Sequence, residues 1–380
     1  MKYSHIIFIA NSDVGVRHTI GSRVWPIVQE VEQRGYTYTV FCRDYDSDVY
    51  PFFVVRVVPF GRVIMRILSA LPMLIHSRLR TERIKNRLFE FFLIKKLKKI
   101  NLSDVQIIHS WDFLPHVYAF IATTHPHIQI IQDVPMALHV SLKQDYCGKK
   151  ISSVSIPSYI KESFSYIHTF IAPSQFVEHS LISIGIDKKN VTVIPFGVDI
   201  DIFRPIEKKN NQLFKVVFVG AINMRKGIPY LIDAWRQLNL DNAELHVYGR
   251  VYREMLPFVH NAEQDHIYIH GFVDIVDVLP YHDIYVFPSL LEGSAKSVYE
   301  ALACGLPVIT TPNAGSIVTN AHDGYIIDVQ NVKMIKEKIL FFYRHPEKVK
   351  EFGVAARRTA EAYTWQNYAK KVVAEYNNCL

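Results

Sequence analysis

Short runs of hydrophobic residues alternate along this chain with longer stretches in which apolar side chains recur every three or four positions. Runs such as 216–219 (Val-Val-Phe-Val) and 284–287 (Ile-Tyr-Val-Phe) lack polar alternation, which predicts strands buried on both faces of parallel sheets. Strands are predicted at 4–10, 36–41, 52–58, 105–109, 127–131, 167–171, 191–194, 215–219, 244–248, 267–270, 284–287, 307–310 and 325–328. Helices are predicted at 21–34, 61–99 with a break near Pro72, 113–123, 157–164, 174–185 and about 363–378, with further helical segments between the later strands.

This alternation occurs in two successive halves, which predicts two doubly wound α/β domains. In such domains ligands bind in the cleft that the carboxyl ends of the strands face. The polar stretch 197–211, which contains Pro205 and two lysines, is the predicted linker. A chain of 380 residues can bury a core in each of two or three domains. The 49% hydrophobic and 21% charged composition is that of a globular protein and excludes a disordered one.

The four cysteines are scattered without a C-x-x-C pair, which favours a reduced compartment over a disulfide framework or a zinc site. The first residues lack the order of a signal peptide, so a cytoplasmic location is expected. Residues 113–132 carry no Asp, Glu, Lys or Arg and are long enough to suggest a membrane span. Pro115 and Pro126 interrupt them, together with three histidines and two glutamines, so we predict a helix, a turn and a buried strand instead.

Positive charge is concentrated in one segment of the first half. The whole chain has a net charge of +7, whereas residues 61–99 hold eleven Lys and Arg against Glu82 and Glu90, a local balance of +9. Apolar residues are interleaved with these charges, and the longest uncharged run, 67–77, is too short to span a bilayer. We predict that 61–99 lies on an anionic membrane surface. The alternative is an ordinary helix pair packed on its domain; nucleic acid is not expected, because no recognised motif accompanies the charge.

Two carboxylates eight positions apart, Glu292 and Glu300, are the main candidates for chemistry. The pattern predicts a strand, a loop bearing Glu292, a helix bearing Glu300 and another strand. If the helix begins near Ser294, the amides of 295–297 point into the loop and favour an anion such as phosphate. A carboxylate at Glu300 needs solvent or donors such as sugar or ribose hydroxyls. The alternative is a pair of unrelated glutamates on a solvated surface.

The residues around this pair resemble a known signature. Pro-Ser-x-x-Glu-Gly at 288–293, the second Glu after seven residues, and Ala-x-Ala-Cys-Gly-x-Pro-Val-Ile at 301–309 closely resemble the E-x7-E motif of retaining glycosyltransferases of family 4, which have the GT-B fold. The resemblance extends to 172–174, 193–199, Phe203, 216–220, 225–227, 315–316 and 323–324. It covers the chain from about residue 165 and is looser before that.

The resemblance implies an α/β protein of the GT-B fold, with two doubly wound Rossmann-like domains facing across a cleft. Residues 1–197, joined by a crossover helix at 363–380, would form the acceptor-side domain, and residues 198–362 the domain that binds a nucleotide-sugar donor. On the donor side it implies that the sugar is bound by Glu292 and by the backbone amides of Gly293, Ser294, Ala295 and Lys296. The ribose would be bound by Glu300, and the base by residues near Phe272 and Val273. The phosphates would be bound by Lys226, by Ser297 and by the strand end at Gly220.

One donor residue departs from the family pattern. The family usually has an arginine directly after the glycine equivalent to Gly220, and this chain has Ala221 there. Arg225 or Arg250 could substitute for it.

On the acceptor side, the family's strand-terminal histidine is replaced by Gln132, followed by Asp133. Asp133 could orient the acceptor hydroxyl, accept its proton, or cap the following turn. His109 also ends a predicted strand, where a single histidine is more often structural. The D-x-D pairs at 46–48 and 199–201 resemble a metal–nucleotide motif of another fold, but with the E-x7-E motif present no metal is expected.

The resemblance therefore implies a metal-independent, retaining transfer of a sugar from a UDP- or GDP-sugar to a glycan or lipid-linked glycan, in bacterial-type polysaccharide or lipopolysaccharide synthesis. No cofactor is expected besides the nucleotide-sugar co-substrate. With the basic segment, it predicts a cytoplasmic enzyme peripheral on the inner face of the plasma membrane. Two alternatives remain open: an inactive glycosyltransferase-like scaffold, and a GT-B nucleotide-sugar epimerase or phosphorylase. The sugar, the base, the acceptor and the oligomeric state are left open.

Overall fold

The computed structural model describes residues 5–14, 21–45, 54–58, 78–138, 146, 156–207 and 213–379. Two predicted features fall outside these ranges, the D-x-D pair at 46–48 and the part of the basic segment that precedes residue 78.

A parallel sheet of seven strands forms the first half of the protein. Its strands are β1 (His5–Val14), β2 (Thr37–Tyr45), β3 (Val54–Arg56), β4 (Val105–Ser110), β5 (Gln129–Asp133), β6 (Thr169–Ala172) and β7 (Val191–Val193). The order across the sheet is β3-β2-β1-β4-β5-β6-β7, so the direction of winding reverses between β1 and β4. Open α/β sheets bind their ligands outside the carboxyl ends of the strands at such a reversal.

A second parallel sheet, of six strands, forms the second half. Its strands are β8 (Phe214–Val219), β9 (Ala243–Tyr248), β10 (Ile267–His270), β11 (Ile284–Phe287), β12 (Val308–Thr310) and β13 (Gly324–Ile326). Their order is β10-β9-β8-β11-β12-β13, with the reversal between β8 and β11. Val216, Val217 and Phe218 are fully buried, as expected for a strand covered on both faces.

Helices connect the strands and cover both sheets. They are α1 (Gly21–Gln33), α2 (Arg78–Leu97), α3 (Pro115–Thr124), α4 (Ser158–Ser163), α5 (Gln175–Ser183), α6 (Ile228–Leu238), α7 (Leu256–Val259), α8 (Lys296–Ala303), α9 (Val332–Arg344), α10 (Pro346–Ala362) and α11 (Trp365–Cys379). The predicted fold class, two doubly wound α/β units, is confirmed. The uncharged run 113–132 forms α3 and most of β5, as predicted. In the described ranges, no helix has the length and apolar character that crossing a membrane requires.

The chain crosses between the two sheets twice, and the two crossings lie side by side. Val198 N–H donates to Tyr363 O at 2.9 Å, and a Cβ on Gly197 would overlap the backbone of Trp365. The second crossing leads into α11, which packs on α1 of the first half. Boundaries at 197/198 and 362/363 stay a prediction.

Helix α2 has one buried and one exposed side. Phe89, Leu93 and Leu97 are fully buried in the core of the first half. Glu90 is also buried, and its Oε1 accepts the backbone N–H of His116 at 2.8 Å at the start of α3. This hydrogen bond offsets the cost of burying the carboxylate. The free amides at a helix start favour a carboxylate there. The helix is thus anchored to its domain by its inner face.

Candidate active site

The loop that follows β8 places two cations at the carboxyl end of the second sheet. Asn223 Oδ1 accepts the backbone N–H of Lys226 at 3.1 Å and so caps the short turn Met224–Lys226. Gly227 follows with φ +73°, and a Cβ there would overlap the Pro288 carbonyl oxygen. Only glycine fits this close approach of the loop after β8 to the segment that leads from β11 to Glu292.

Both cations converge on one carboxylate. Lys226 Nζ lies 2.5 Å from Glu292 Oε1, and Arg225 Nη1 pairs with the same oxygen while donating to Leu291 O at 2.6 Å. Ser289 Oγ donates to that oxygen at 3.4 Å. Burial lowers the pKa of Lys226, and the charge of Glu292 opposes that shift. This chain has Ala221 where the family usually has an arginine. Of the two arginines that could substitute for it, Arg225 lies in this cluster.

The other candidate arginine, Arg250, is beside the same loop through its backbone, since its carbonyl oxygen accepts the Ile222 N–H at 2.9 Å, but its side chain does not join the described ion pairs of Glu292. Arg250 is exposed, with its guanidinium carbon 5.8 Å from the centre of the Tyr252 ring. The two-cation arrangement is therefore built by neighbouring residues of one turn, Arg225 and Lys226.

The loop after Glu292 is held by backbone contacts, and helix α8 begins later than predicted. Its first residue is Lys296 rather than Ser294. Ala295 N–H donates to Ala314 O at 3.1 Å, so this amide does not face an anion as expected. Ser294 is buried, with its Oγ 2.8 Å from Tyr299 Oη and donating to Gly315 O at 2.9 Å. The buried Ser294 hydroxyl therefore holds the loop in place.

Helix α8 carries the second carboxylate. Glu300 is partly buried, and burial raises its pKa to about 7, with Lys296 opposing the shift and Asp274 adding to it. Among the described residues its carboxylate has no hydrogen-bond or ion-pair partner, so it can accept hydroxyl groups of a ligand. Burial lowers the pKa of Lys296. Ser297 Oγ lies 2.7 Å from the Tyr285 hydroxyl, which also donates to Val219 O at 3.1 Å.

The ends of β8, β9 and β10 meet beside this cluster. A Cβ on Gly249 would overlap the Gly220 carbonyl oxygen, and Gly249 N–H donates to Gly271 O at 3.1 Å. Phe272 follows at the rim, 85% exposed, and Val273 is partly buried. Three residues predicted to bind the donor thus lie at one edge of the sheet: Gly220, Phe272 and Val273. Ligands of such sheets bind outside the carboxyl ends of the parallel strands.

Asp133 lies at the end of β5 but is 1% exposed. Arg23 Nη1 lies 2.5 Å from its Oδ1, and Tyr368 of α11 donates to its Oδ2 at 3.1 Å. Burial raises the pKa of Asp133, and the Arg23 guanidinium opposes that shift. Both oxygens are engaged inside the protein, which favours a structural role over contact with an acceptor. A catalytic role for Asp133 stays a prediction.

His109 is buried beside this network. Its Nδ1 lies 2.6 Å from Tyr376 Oη, and its ring stacks on Trp111 with the centres 4.3 Å apart. Burial lowers the pKa of His109 to about 3, so the ring is neutral. The second D-x-D pair is also structural, because Asp199 Oδ1 accepts the backbone N–H groups of Asp201 and Ile202, each at 3.1 Å.

Two residues near the cleft were not predicted from the sequence. Arg23 joins Asp133, and its charge contributes to the lowered pKa of Lys296 across the cleft. Asp112 accepts the Asn11 backbone N–H at 2.6 Å where β4 ends. Asp112 could have been found by its place three residues after the strand predicted at 105–109. Arg23 could not, because its partner lies 110 positions away.

The sequence matches the models of two families. One, described as glycosyl transferases group 1, matches residues 199–359, and the other, glycosyltransferase family 4, matches residues 20–202. The two matches overlap at residues 199–202 and together cover residues 20–359. The chain therefore belongs to the family 4 glycosyltransferases of the GT-B fold.

Curated relatives are similar over part of their length. A glycosyltransferase of Methanocaldococcus jannaschii, itself uncharacterized, is 30% identical over 155 residues, which are 40% of this chain and 44% of that protein. The N,N'-diacetylbacillosaminyl-diphospho-undecaprenol alpha-1,3-N-acetylgalactosaminyltransferase of Campylobacter jejuni is 26% identical over 278 residues, 66% of this chain and 70% of that enzyme. The chain thus spans less than half of the first relative's length.

Solved structures share the fold over nearly the whole chain. A glycosyltransferase from Rickettsia africae superposes with a TM-score of 0.71 at 17% identity, covering 100% of this chain and 99% of that one. The Anabaena protein HepE, solved in complex with UDP and glucose, superposes with a TM-score of 0.68 at 14% identity, covering 99% and 100%.

Proposed function

We propose that this protein is a retaining, metal-independent glycosyltransferase that moves a sugar from a UDP- or GDP-sugar to a glycan or lipid-linked glycan in bacterial polysaccharide or lipopolysaccharide synthesis. The observation that carries this proposal is the convergence of Lys226 and Arg225 on Glu292, beside Glu300, whose carboxylate has no hydrogen-bond or ion-pair partner among the described residues. The Campylobacter relative named above, an N-acetylgalactosaminyltransferase, and the UDP and glucose bound to HepE support this donor and acceptor chemistry.

Each side chain would act on a different part of the donor. Lys226 and Arg225 would transfer their ion pairing from Glu292 to the diphosphate and offset the negative charge that builds up as it leaves. Glu292 would then accept sugar hydroxyls, and Glu300 ribose hydroxyls. Charges that are already held in place in a partly buried site need little reorganisation during the reaction. The proton of the acceptor hydroxyl would pass to the departing phosphate oxygen on the same face of the sugar.

The function is tested by incubating purified protein with a panel of UDP- and GDP-sugars and following nucleotide release with and without EDTA. We expect nucleotide release from one donor, unaffected by EDTA, and an anomeric configuration of the product that matches the donor by NMR. Activity lost in EDTA and restored by Mg²⁺ or Mn²⁺ contradicts metal independence. No release from any donor favours an inactive scaffold, and an isomerised donor favours an epimerase.

The affinity for the nucleotide sugar should depend on pH through Glu300. Because the carboxyl group has a pKa of about 7 in the free protein, it is largely protonated at pH 6 and ionised at pH 8. The ionised form accepts ribose hydroxyls, so affinity should rise from pH 6 to pH 8. Glu300→Gln should weaken binding ~10–100-fold at pH 8, as a lost charge-assisted hydrogen bond does, and flatten the profile.

Calorimetry with the intact nucleotide sugar measures this effect, because its phosphates do not titrate in that range. Asp233→Asn, a change of the same kind in another helix of the same half, serves as a control and should keep the wild-type profile. An affinity of Glu300→Gln within twofold of wild type at every pH rules out the ribose contact.

We further propose that the outer face of α2 lies on the anionic inner surface of the plasma membrane. Phe91 is 52% exposed on this face, and Lys95 Nζ lies 4.4 Å from the centre of its ring. Ile84 and Arg87 are also exposed on the preceding turns. An exposed aromatic surrounded by cations suits the boundary between headgroups and acyl chains. This placement would bring the acceptor-side domain to a lipid-linked acceptor.

Liposome binding tests this placement. The protein should co-sediment with vesicles containing phosphatidylglycerol at low salt and dissociate at high salt, because each basic residue near an anionic surface contributes roughly 1 kcal/mol. Reversal of Lys95, Lys96, Lys98 and Lys99 to Glu should release it while nucleotide binding is kept. The control is the same reversal to Glu of four exposed lysines outside α2. This control variant should still bind the anionic vesicles; its changes are at Lys188, Lys189, Lys333 and Lys370. Equal binding to neutral and anionic vesicles contradicts the proposal.

A further inference from the structure

A single side chain of the first half holds the loop that carries Glu292. Ser174, between β6 and α5, donates its hydroxyl to the Gly293 carbonyl oxygen at 2.6 Å, although the two residues lie 119 positions apart. Ser174 Oγ itself accepts the Val177 N–H at 3.3 Å and so caps α5. Because the hydroxyl accepts from the helix, its proton is directed at the loop. Ser174 is 7% exposed, so water does not compete freely for this bond.

The backbone around Gly293 is in contact with both halves of the protein. A Cβ on Gly293 would overlap the Pro135 carbonyl oxygen and lie 2.8 Å from Met136 Cα, both in the segment after β5. On the other side, a Cβ on Gly315 would overlap the Gly293 carbonyl oxygen and lie 2.7 Å from Ser174 Oγ. The peptide after Glu292 therefore occupies a slot that exists only while the two halves are together.

From this geometry we infer that Ser174 is a positioning residue: its hydrogen bond to Gly293 holds Glu292 where it would accept the sugar hydroxyls when the two halves close around the donor. The inference rests on the proposed glycosyltransferase function for its kinetic consequence. The groups assigned to ribose and base, Glu300 and residues 271–273, belong to the second half and do not contact Ser174. Loss of the bond should therefore lower turnover and leave the nucleotide affinity unchanged.

Ser174→Gly is the test variant, because glycine is tolerated at a helix N-cap nearly as well as serine. It removes the hydroxyl and its bond to the Val177 N–H at little cost to the stability of α5. We expect kcat about tenfold lower, as for one lost hydrogen bond, with the Kd of the nucleoside diphosphate within twofold of wild type. Ser174→Thr keeps the hydroxyl and should restore most of kcat. Ser183→Ala, on the same helix and away from the loop, is the matched control and should resemble wild type.

Hydrogen exchange of residues 290–296 gives a readout that does not require activity. The amides of this loop should exchange faster in Ser174→Gly than in wild type or Ser183→Ala, whereas those of α6 should not change. Unchanged exchange in Ser174→Gly overturns the inference, and so does a loss of nucleotide affinity equal to the loss of kcat. If the wild-type protein turns over no donor but the loop exchanges faster in Ser174→Gly, the proposed function fails and the positioning contact stands.

Discussion

Replacing Lys226 by alanine is expected to lower turnover ~10²–10³-fold, the range for removing one preorganised electrostatic donor. Its ammonium group lies 2.5 Å from Glu292 and 4.7 Å from the centre of the Phe287 ring, in a site where burial already lowers its pKa. A buried cation interacts with a phosphate more strongly than an exposed one, because the surrounding dielectric is lower. Steady-state kinetics with the intact donor measure the effect.

Two further variants separate the charge of Lys226 from its packing. Lys226→Met keeps an apolar chain of similar length over Phe287 but carries no charge, so it should be as slow as Lys226→Ala. Arg250→Ala removes a cation that lies outside the cluster and should keep turnover within about threefold of wild type, since surface changes of this kind usually have small effects. Turnover near the wild-type value in both Lys226 variants would assign the charge stabilisation to Arg225.

The parts of this protein that follow from local sequence were predictable. The uninterrupted apolar run at 216–219 forms the buried end of β8, because a parallel strand is covered by helices on both faces. The spacing of Glu292 and Glu300 indicated a loop residue and a helix residue of one unit, and the structure places them so.

Features that depend on contacts between distant residues were not predictable from a single sequence. Helix α8 begins at Lys296, because Ala295 has an extended backbone (φ −80°, ψ 104°); its N–H donates to Ala314 O, in a segment that follows another strand. Asp133 was expected in the cleft because it ends a strand. Its two carboxylate oxygens are instead bound inside the protein, by Tyr368 of α11 and Arg23 of α1. Nothing near Asp133 in the sequence indicates either partner, since both come from other elements of the fold.

Replacing Gly293 by alanine is the second change with a large expected effect. The new methyl group would overlap the Pro135 carbonyl oxygen, and that oxygen belongs to backbone that cannot rotate away. Either the Glu292 loop shifts or the two halves stay further apart, and in both cases Glu292 leaves the position from which it would accept the sugar hydroxyls. A misplacement of about 1 Å in a catalytic arrangement costs ~10²-fold, so we expect kcat to fall by about that factor.

The cause of this loss can be identified with a double-mutant cycle between Gly293→Ala and Glu292→Ala. If the added methyl group acts by displacing Glu292, the double variant should be about as slow as the slower single variant, because the second change removes a group that is already misplaced. The thermal midpoint and nucleotide affinity of Gly293→Ala should stay close to wild type, since the donor half keeps its own core. Multiplicative losses in the double variant would show that Gly293 and Glu292 act independently, and would leave the close approach to Pro135 without a role in placing the carboxylate.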